Sequence, residues 1–429
     1  MRVAKRNRAS PIAEQGQSVL RTSEQTARAS GTALSDDLWT SVAAAPLVTV
    51  VMPCLNEADT LETCIQKAVR AFREHEISGE IVVADNGSTD GSQEIAVRAG
   101  ARVVAVKTRG YGNALMGGIA SARGRFIVMG DADDSYDFRE IPKFVVKLEE
   151  GFDLVQGCRL PSGGGTIMPG AMPWSHRWIG NPMLSSLMRW WFNADAVHDV
   201  YCGLRGFTKE FYQRLDQRCS GMEFATEMII KASLLRSKVA EVPITLHPDG
   251  RKSHAPHLRT LRDGWRTLRF FLMYSPRWLF LIPGACLVLA GLAGYSLALP
   301  AASVGGVTFD AHTLLVSSLA MICGYQAILF AIFTKTFAVN EGLMPEDSFY
   351  TRFYRVMNLE RGLVAAALAL VFGLGLVLTA ANLWRLNDFG HLDYALGMRL
   401  VVPGVTLIAL GFQTVLSSFF VSILGMQRR

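Results

Sequence analysis

The stretch GEIVVADNGSTDGSQEIAVRAGARVVAV, Gly79 to Val106, decides how the chain is read. Its first apolar run, Glu80 to Ala84, is β-rich and too short for a buried helix. It stops at Asp85 and turns through Asn86-Gly87-Ser88-Thr89-Asp90 into a helix beginning near Gly91. A second strand comes at Arg102 to Val106. The same order occurs just upstream in PLVTVVMPCLNEADTLETCIQKAVRAF, Pro46 to Phe72. There the apolar run Leu47 to Met52 is broken by Pro53 and Asn56, and Leu61, Ile65, Ala68, Val69 and Phe72 then recur at helical spacing. Downstream, RFIVMGDADDSYD and FDLVQGCRL supply two more strands. Strands alternating with helices predict an α/β fold whose parallel sheet is covered on both faces. Ligands of such sheets bind beyond the carboxyl ends of the strands. The polar loops fall there: Asn56-Glu57, Asp85 to Asp90, Asp131 to Asp134, and Arg159.

The rest of the chain is organised around this unit. Residues 1–45 are rich in Ala, Ser, Thr, Arg and Gln without apolar periodicity, which predicts a disordered, weakly basic tail. The α/β domain is expected over 46–253, a juxtamembrane amphipathic helix over 254–277 and a membrane domain over 278–429. Half of the 429 residues are hydrophobic and the mean hydropathy is +0.23, high for a soluble protein. Trp278–Leu299, Thr313–Phe337, Leu363–Trp384 and Leu400–Gly425 are each long enough to cross a bilayer. Arg352, Arg355 and Arg361 lie between the second and third runs, and Arg428 and Arg429 come after the last. The positive-inside rule therefore sets both termini, the α/β domain and the 338–362 loop in the cytoplasm, at the inner (plasma) membrane. The net charge of +6 suits anionic headgroups or phosphorylated substrates. No aromatic-basic module accompanies it, so nucleic acid is not an expected partner. Seven scattered cysteines without a CxxC read as reduced thiols. A homo-oligomer is among the assemblies this composition allows.

The loops carry the chemistry. GDADDS comes after a strand, and extended geometry puts Asp131 and Asp133 on one side. Two carboxylates so placed suit a hard divalent cation, Mg²⁺ or Mn²⁺, which takes oxygen ligands and shares them with substrate phosphates. Asp134 and Asp137 either add a ligand or cap the next turn. Asp85 either accepts from a nucleobase N–H or closes an Asx-turn, and Ser88, Thr89 and Asp90 read mainly as turn and cap residues. Arg159, after a strand, is a candidate to stabilise a leaving phosphate. The glycines of TRGYGNALMGG offer close backbone approach to phosphate. Neither a dinucleotide fingerprint nor a Walker motif is present, which argues against dehydrogenase and ATPase functions.

Taken in order, VVMPCLNEADTL, VVADNGSTDGS, GDADDS, GCRL and DVYCGLRGF resemble the family 2 glycosyltransferases of GT-A fold, over roughly Pro46 to Ser253. With membrane spans after this domain, the chain looks like the polyprenyl- and dolichyl-phosphate hexose synthases. The resemblance implies a GT-A, Rossmann-like nucleotide-diphospho-sugar transferase domain, an interfacial helix and an α-helical transmembrane bundle. It implies donor contacts from Asp85 with Pro53, Asn56 and Glu57, and metal and sugar-diphosphate contacts from Asp131 and Asp133. It implies a catalytic role for Asp133, sets Arg159, a second catalytic candidate, toward phosphate, and puts Arg251 and Lys252 in a basic cluster near the phosphates; Arg205, Arg259 and Arg262 are further candidates for acceptor or phosphate contacts, the last two serving either a lipid phosphate or plain anchoring to anionic headgroups. The family commonly has Asp-Asp-Gly-Ser where this chain has Asp85-Asn86-Gly87-Ser88. The Gln-x-x-Arg-Trp motif of processive polysaccharide synthases is missing around Arg189-Trp190 and Arg277-Trp278.

In HAPHLRTLRDGWRTLRFFLMYSPRW, Arg259, Arg262, Arg266 and Arg269 share one helix face and Leu261, Trp265, Leu268 and Leu272 another, the pattern of an interfacial helix. The expected reaction is inverting transfer of a sugar from an NDP-sugar, UDP- or GDP-linked, to a polyprenyl (undecaprenyl) phosphate. Its oxygen is already anionic, so no strong base is needed. The alternatives are a glycolipid hydroxyl acceptor, with Glu223 or Glu227 as base, and a non-catalytic nucleotide-binding membrane scaffold.

Overall fold

Strand burial explains the sheet. Along β1 (Val48–Cys54), Val48, Val50 and Met52 enter one hydrophobic core and Val51 the other. The alternation repeats in β2 (Gly79–Asp85), where Ile81 and Val83 oppose Val82, and in β4 (Phe126–Met129), where Phe126 and Val128 oppose Ile127 and Met129. Side chains alternate across a strand, so a run apolar at every position must be covered on both faces. The first face is covered by α1 (Leu61–Glu74) through Leu61, Ile65 and Phe72, and by α4 (Ile141–Glu149) through Phe144 and Leu148. The second is covered by α3 (Tyr111–Ser121) through Leu115 and Ile119, by α5 (Asn181–Phe192), and by α7 (Phe224–Leu234). Each fully buried Val, Ile, Leu or Phe contributes about 1.5–3 kcal/mol to this two-sided core.

These features come from a computed structural model that describes residues 45–251, 260–346, 348–356, 358–391 and 393–425. The tail expected before residue 45 lies outside the described residues, as do Lys252 and Arg259 and the side chain of Arg262. Between β2 and β4 come α2 (Ser92–Arg98) and β3 (Arg102–Ala105). The sheet has seven strands in the order β3-β2-β1-β4-β7-β5-β8, where β5 is Leu154–Cys158, β7 Arg205–Thr208 and β8 Val239–Pro243; the short β6 (Thr166–Ile167) lies outside it, and α6 (Lys209–Leu215) comes directly after β7. It corrects the all-parallel expectation: β7 pairs antiparallel with both β4 and β5.

Arg205 opens β7, and the structure corrects its assignment as a phosphate ligand. It is fully buried and donates to the carbonyls of Cys202 (2.7 Å), Ala225 (2.7 Å) and Val200 (3.4 Å). Burial pulls its pKa below the ordinary arginine value. Its guanidinium joins the entry of β7 to α7 and is enclosed by protein.

After the sheet, α8 (Thr260–Met273) leads to four spans, Arg277–Ala298, Ala311–Asn340, Leu359–Leu386 and Tyr394–Leu424. The shortest has 22 residues, and about 20 suffice to cross a bilayer. Small residues bring backbones close: a Cβ on Gly284 would meet the Gly324 carbonyl, and one on Gly373 that of Gly404. Polar pairs stitch the bundle, Tyr325 to Thr414 at 2.7 Å and Gln413 to Gln326 at 3.0 Å. Arg218 of the α/β domain donates to the Glu341 carbonyl (3.5 Å), which puts the loop after the second span on the domain's side. Arg399 of the fourth span pairs with Asp310, just before the second, at 3.0 Å.

Arg205→Met should leave three carbonyls short of a donor and cost roughly 3 kcal/mol or more. A thermal unfolding midpoint in detergent equal to that of the wild type would remove this structural role.

Candidate active site

Parallel register gathers the polar strand ends on one edge. Cys54 of β1 pairs with Asp85 of β2, and Val51 with Met129 of β4, two residues before Asp131. Pro53 lies within β1 opposite Ala84. The β1 and β2 loops are then sewn together. Asn56 takes φ 61°, which asparagine tolerates. Its N–H donates to Ser88 Oγ (2.9 Å), and its Oδ1 accepts from Thr89 N–H (2.8 Å). Glu57 N–H donates to Ser92 Oγ (3.0 Å) and Ala58 N–H to Asp90 Oδ2 (2.9 Å). Ser88, Thr89 and Asp90 thus bridge two loops as well as turning one. Asp85 is buried and accepts from Gly87 N–H (3.1 Å), Ser88 N–H (3.2 Å) and Gln93 Nε2 (2.7 Å). Its carboxylate shapes its own turn.

Asn86 explains the departure from Asp-Asp-Gly-Ser. Its amide donates to the carbonyls of Val106 (3.0 Å) and Thr108 (2.9 Å) and accepts from Gly110 N–H (2.7 Å). A carboxylate has no proton for the two donations. This staple fixes the turn that delivers Tyr111, whose hydroxyl donates to Asp131 Oδ1 (2.9 Å). The glycines around Tyr111 meet protein: a Cβ on Gly110 would meet the Ser220 carbonyl, one on Gly112 that of Cys219, and one on Gly118 the side chain of Val51. Their expected role as a phosphate cradle is corrected to one of close packing.

Asp131 and Asp133 lie together. Burial, and then the charge of Asp133, push the Asp131 carboxyl up to about 6, while the Tyr111 hydroxyl works against the rise. Gly203 makes room for it, since a Cβ there would stand 2.6 Å from Asp131 Oδ2. Asp133 accepts from the Ser135 hydroxyl (2.5 Å) and N–H (3.1 Å) through Oδ1, and from Arg251 Nη2 (3.0 Å) through Oδ2. The segment before Arg251 folds over this loop: Gly250 N–H donates to the Asp133 carbonyl (2.9 Å) and His247 N–H to that of Ser135 (2.9 Å). Arg251 also binds Glu57 (2.8 Å) and Asp249 (3.2 Å). Burial opposes its charge, but Glu57, Asp133 and Asp249 outweigh burial and hold its pKa above the ordinary arginine value. Asp134 is paired with Lys67 (2.7 Å), and Asp137 caps the turn Phe138–Glu140 and binds Arg139.

The donor set suits a hard cation: two adjacent carboxylates whose negative charges oppose each other, with a guanidinium already drawn onto one. Among the described residues no three His, Cys, Asp or Glu side chains come together at a metal-holding distance. A cation here would take the two aspartates and complete its shell from phosphate and water.

Arg159 is paired within the protein. Its Nε donates to Asp199 Oδ2 (2.7 Å) and Nη2 to Asp199 Oδ1 (2.9 Å), both residues buried. Its Nη1 reaches the Tyr136 hydroxyl (3.5 Å), which accepts from Gly203 N–H (2.8 Å). The planar fork is spent on a carboxylate, so Arg159 supports the floor under Asp131. Glu227 is also engaged: it accepts from Lys231 Nζ (2.8 Å), Cys219 N–H (2.9 Å) and the Tyr274 hydroxyl (3.2 Å). Glu223 is half-buried and lines a cleft of about 270 Å³ with Arg218, Ser220, Arg266 and Arg269. Sequence reasoning missed Tyr111, Gly203 and Asp199, which are ordinary in local context. The signals were the glycines beside Tyr111 and the motif DVYCGLRGF, which contains Asp199 and Gly203.

Residues 49–215 match the glycosyl transferase family 2, and residues 332–425 match the glycosyltransferase family 2 C-terminal transmembrane region. The chain is 37% identical to the low-salt glycan biosynthesis hexosyltransferase Agl6 of Haloferax volcanii, over 89% of this chain and 90% of that one. It is 31% identical to a dolichyl-phosphate hexose transferase of Haloferax volcanii, over 38% of this chain and 68% of that one. The crystal structure of glucosyl-3-phosphoglycerate synthase from Mycobacterium tuberculosis with Mn²⁺ and UDP-glucose is 23% identical, with a TM-score of 0.42, covering 53% of this chain and 78% of that one. A mixed α/β domain with its polar residues gathered at the carboxyl edge, joined to four spans, thus meets a family match over both halves. The chain belongs to the family 2 glycosyltransferases. It is a multi-pass membrane enzyme that uses a nucleotide-linked sugar and carries its catalytic domain on the cytoplasmic side.

Asn86→Asp would set a carboxylate against two carbonyls. The expected cost is about 2–4 kcal/mol, read as a lower unfolding midpoint with a smaller loss for Asn86→Ser. An unchanged midpoint for the aspartate variant would sink the staple.

Proposed function

We propose that the enzyme transfers a hexose from an NDP-sugar to a polyprenyl phosphate, giving a polyprenyl-phosphate sugar with inversion. One line of contacts carries the reading. The Tyr111 hydroxyl binds Asp131, the next residue's N–H (Gly112) donates to the Ser220 carbonyl (2.9 Å), and Ser220 lines the cleft shared with Arg266 and Arg269 of α8. A carboxylate pair suited to a metal-bound sugar diphosphate is thereby coupled to a basic cleft beside the membrane. That charge suits a lipid whose headgroup is a phosphate. The dolichyl-phosphate acceptor in the name of the Haloferax volcanii relative supports the same reading.

Asp131 and Asp133 would hold Mg²⁺ or Mn²⁺, which supplies charge neutralisation for the donor diphosphate. Asn56, Glu57 and Asp85 form the rim for the nucleotide, with Pro53 in the strand behind. Arg251, released from Asp133, turns its positive charge to the leaving phosphate, the role expected of Arg159. The lipid phosphate oxygen attacks the anomeric carbon, the bond to the diphosphate oxygen breaks, and the electron pair leaves on the nucleoside diphosphate. The attacking oxygen is already an anion, so no residue need take a proton.

Purified protein incubated with undecaprenyl phosphate and radiolabelled UDP- and GDP-sugars should move label into the lipid phase, and EDTA should stop it. Asp133→Asn should lower the rate at least about a hundredfold, whereas Glu223→Gln should stay near the wild type. Loss of transfer in the Glu223 variant would instead favour a neutral hydroxyl acceptor.

Proton and cation compete for Asp131. Below pH about 6 the metal-free carboxyl is protonated, so affinity for Mn²⁺ should fall roughly tenfold per pH unit there and level off above. Tyr111→Phe removes a bond that favours the charged form and should move the break to higher pH. Mn²⁺ titration by electron paramagnetic resonance measures both; constant affinity between about pH 5 and 7.5 would show that no proton on Asp131 competes with the cation there.

A further inference from the structure

The loop 216–220 is exposed at Asp216, Arg218 and Ser220, yet its backbone is held from inside. Glu227 and Lys231, one turn apart on α7, form an ion pair of 2.8 Å whose side chains are 0% and 6% exposed. A buried pair of this kind is tolerated only when the remaining hydrogen-bond capacity of both groups is filled. The loop fills much of it. Lys231 donates to the Asp216 carbonyl (2.6 Å), and Glu227 accepts from the N–H groups of Arg218 (3.1 Å) and Cys219 (2.9 Å). One further donor to Glu227 comes from far along the chain. It is the Tyr274 hydroxyl (3.2 Å), three residues before the first span. The Arg218 side chain in turn donates to the Glu341 carbonyl, just after the second span.

The other side of the loop meets the candidate site. The first N–H groups of a helix have no acceptor within it, and the N-cap of α3, Gly110, offers no side chain. The Ser220 carbonyl takes that place, accepting from Gly112 N–H (2.9 Å) and Asn113 N–H (3.3 Å). Between Gly110 and Gly112 stands Tyr111, whose hydroxyl holds Asp131. Both glycines rest directly on the carbonyls of Cys219 and Ser220. No side chain lies between them to absorb a shift of the loop.

We infer that Glu227 and Tyr274 are positioning residues for the Tyr111–Asp131 bond. The segment entering the first span donates to Glu227, Glu227 fixes Arg218 and Cys219, and the Ser220 carbonyl fixes the start of α3 and with it the Tyr111 hydroxyl. Neither Glu227 nor Tyr274 touches Asp131. The way the first two spans seat on the α/β domain is thereby conveyed to the Asp131 carboxylate. The effect on cation binding rests on the reading of Asp131 as a ligand, whereas the effect on α3 does not.

The test uses the full chain in detergent. Tyr274→Phe deletes one hydroxyl and keeps the ring, where Glu227→Ala would strand Lys231 in the core. Tyr325→Phe, which deletes the hydroxyl bonded to Thr414 in the bundle, is the control for loss of a bond off this route. In Tyr274→Phe the Gly112 and Asn113 amides should exchange with deuterium about tenfold faster, and those of β1 at the wild-type rate. Mn²⁺ affinity at neutral pH, read by electron paramagnetic resonance, should fall by about threefold or more. Tyr325→Phe should change neither. Wild-type exchange at Gly112 and Asn113 in the Tyr274 variant overturns the inference. So does faster exchange matched by the control, which marks general loosening, and so does faster exchange with unchanged Mn²⁺ affinity. A wild type that binds no Mn²⁺ would instead defeat the metal reading of Asp131, and the exchange rates would then decide the relay by themselves.

Discussion

Strands that are apolar on both faces can carry polar side chains only where they stop. That constraint places the site. Apart from Glu80 at the amino end of β2, which pairs with Arg102, β1, β2 and β4 have no solvent-facing positions to give to charge, so Asn56, Asp85 and Asp131 come after the apolar runs and collect at one edge by parallel register. Once there they must be satisfied, because an unpaired buried polar group costs about 1–3 kcal/mol. The cross-loop bonds from Asn56, Ser88, Asp90 and Asn86 satisfy them, and the rigid rim is a by-product of that demand.

Three arginines near the site sort by the same rule. A buried cation needs a partner, since removing it from water costs several kcal/mol. Arg205 is answered by backbone carbonyls and Arg159 by Asp199, with both fork nitrogens used. Arg251 alone of the three bridges the candidate site's own carboxylates, Glu57 and Asp133. In the proposed reaction a metal-bound diphosphate would compete for Asp133 and offer Arg251 phosphate oxygens in return, so the exchange would keep its charge paired throughout.

Attachment to the membrane uses side chains with two kinds of surface. Phe271 and Tyr274 of the α8 region turn inward, to the Trp191–Phe192 cluster and to Glu227. Through Glu227 the membrane-proximal helix touches the loop at Cys219 and Ser220, which packs on the Tyr111 turn. Membrane contact and the aspartate pair are thus mechanically adjacent.

The strand–loop–helix order, the four spans and the edge on which the polar loops gather were legible in the amino-acid sequence, because local periodicity and length dictate them. So were Asp131 and Asp133, whose spacing is local. Which arginine pairs with Asp133 was not. Arg159 and Arg251 look alike in sequence, and their roles depend on Asp199 and Asp133, 40 and 118 residues away. Nor could local pattern disclose that Asn86 replaces a carboxylate because two carbonyls from another loop need a donor, or that β7 runs antiparallel. Pairing between distant charges and strands is settled only when the chain closes on itself, since burial then selects which groups must neutralise one another.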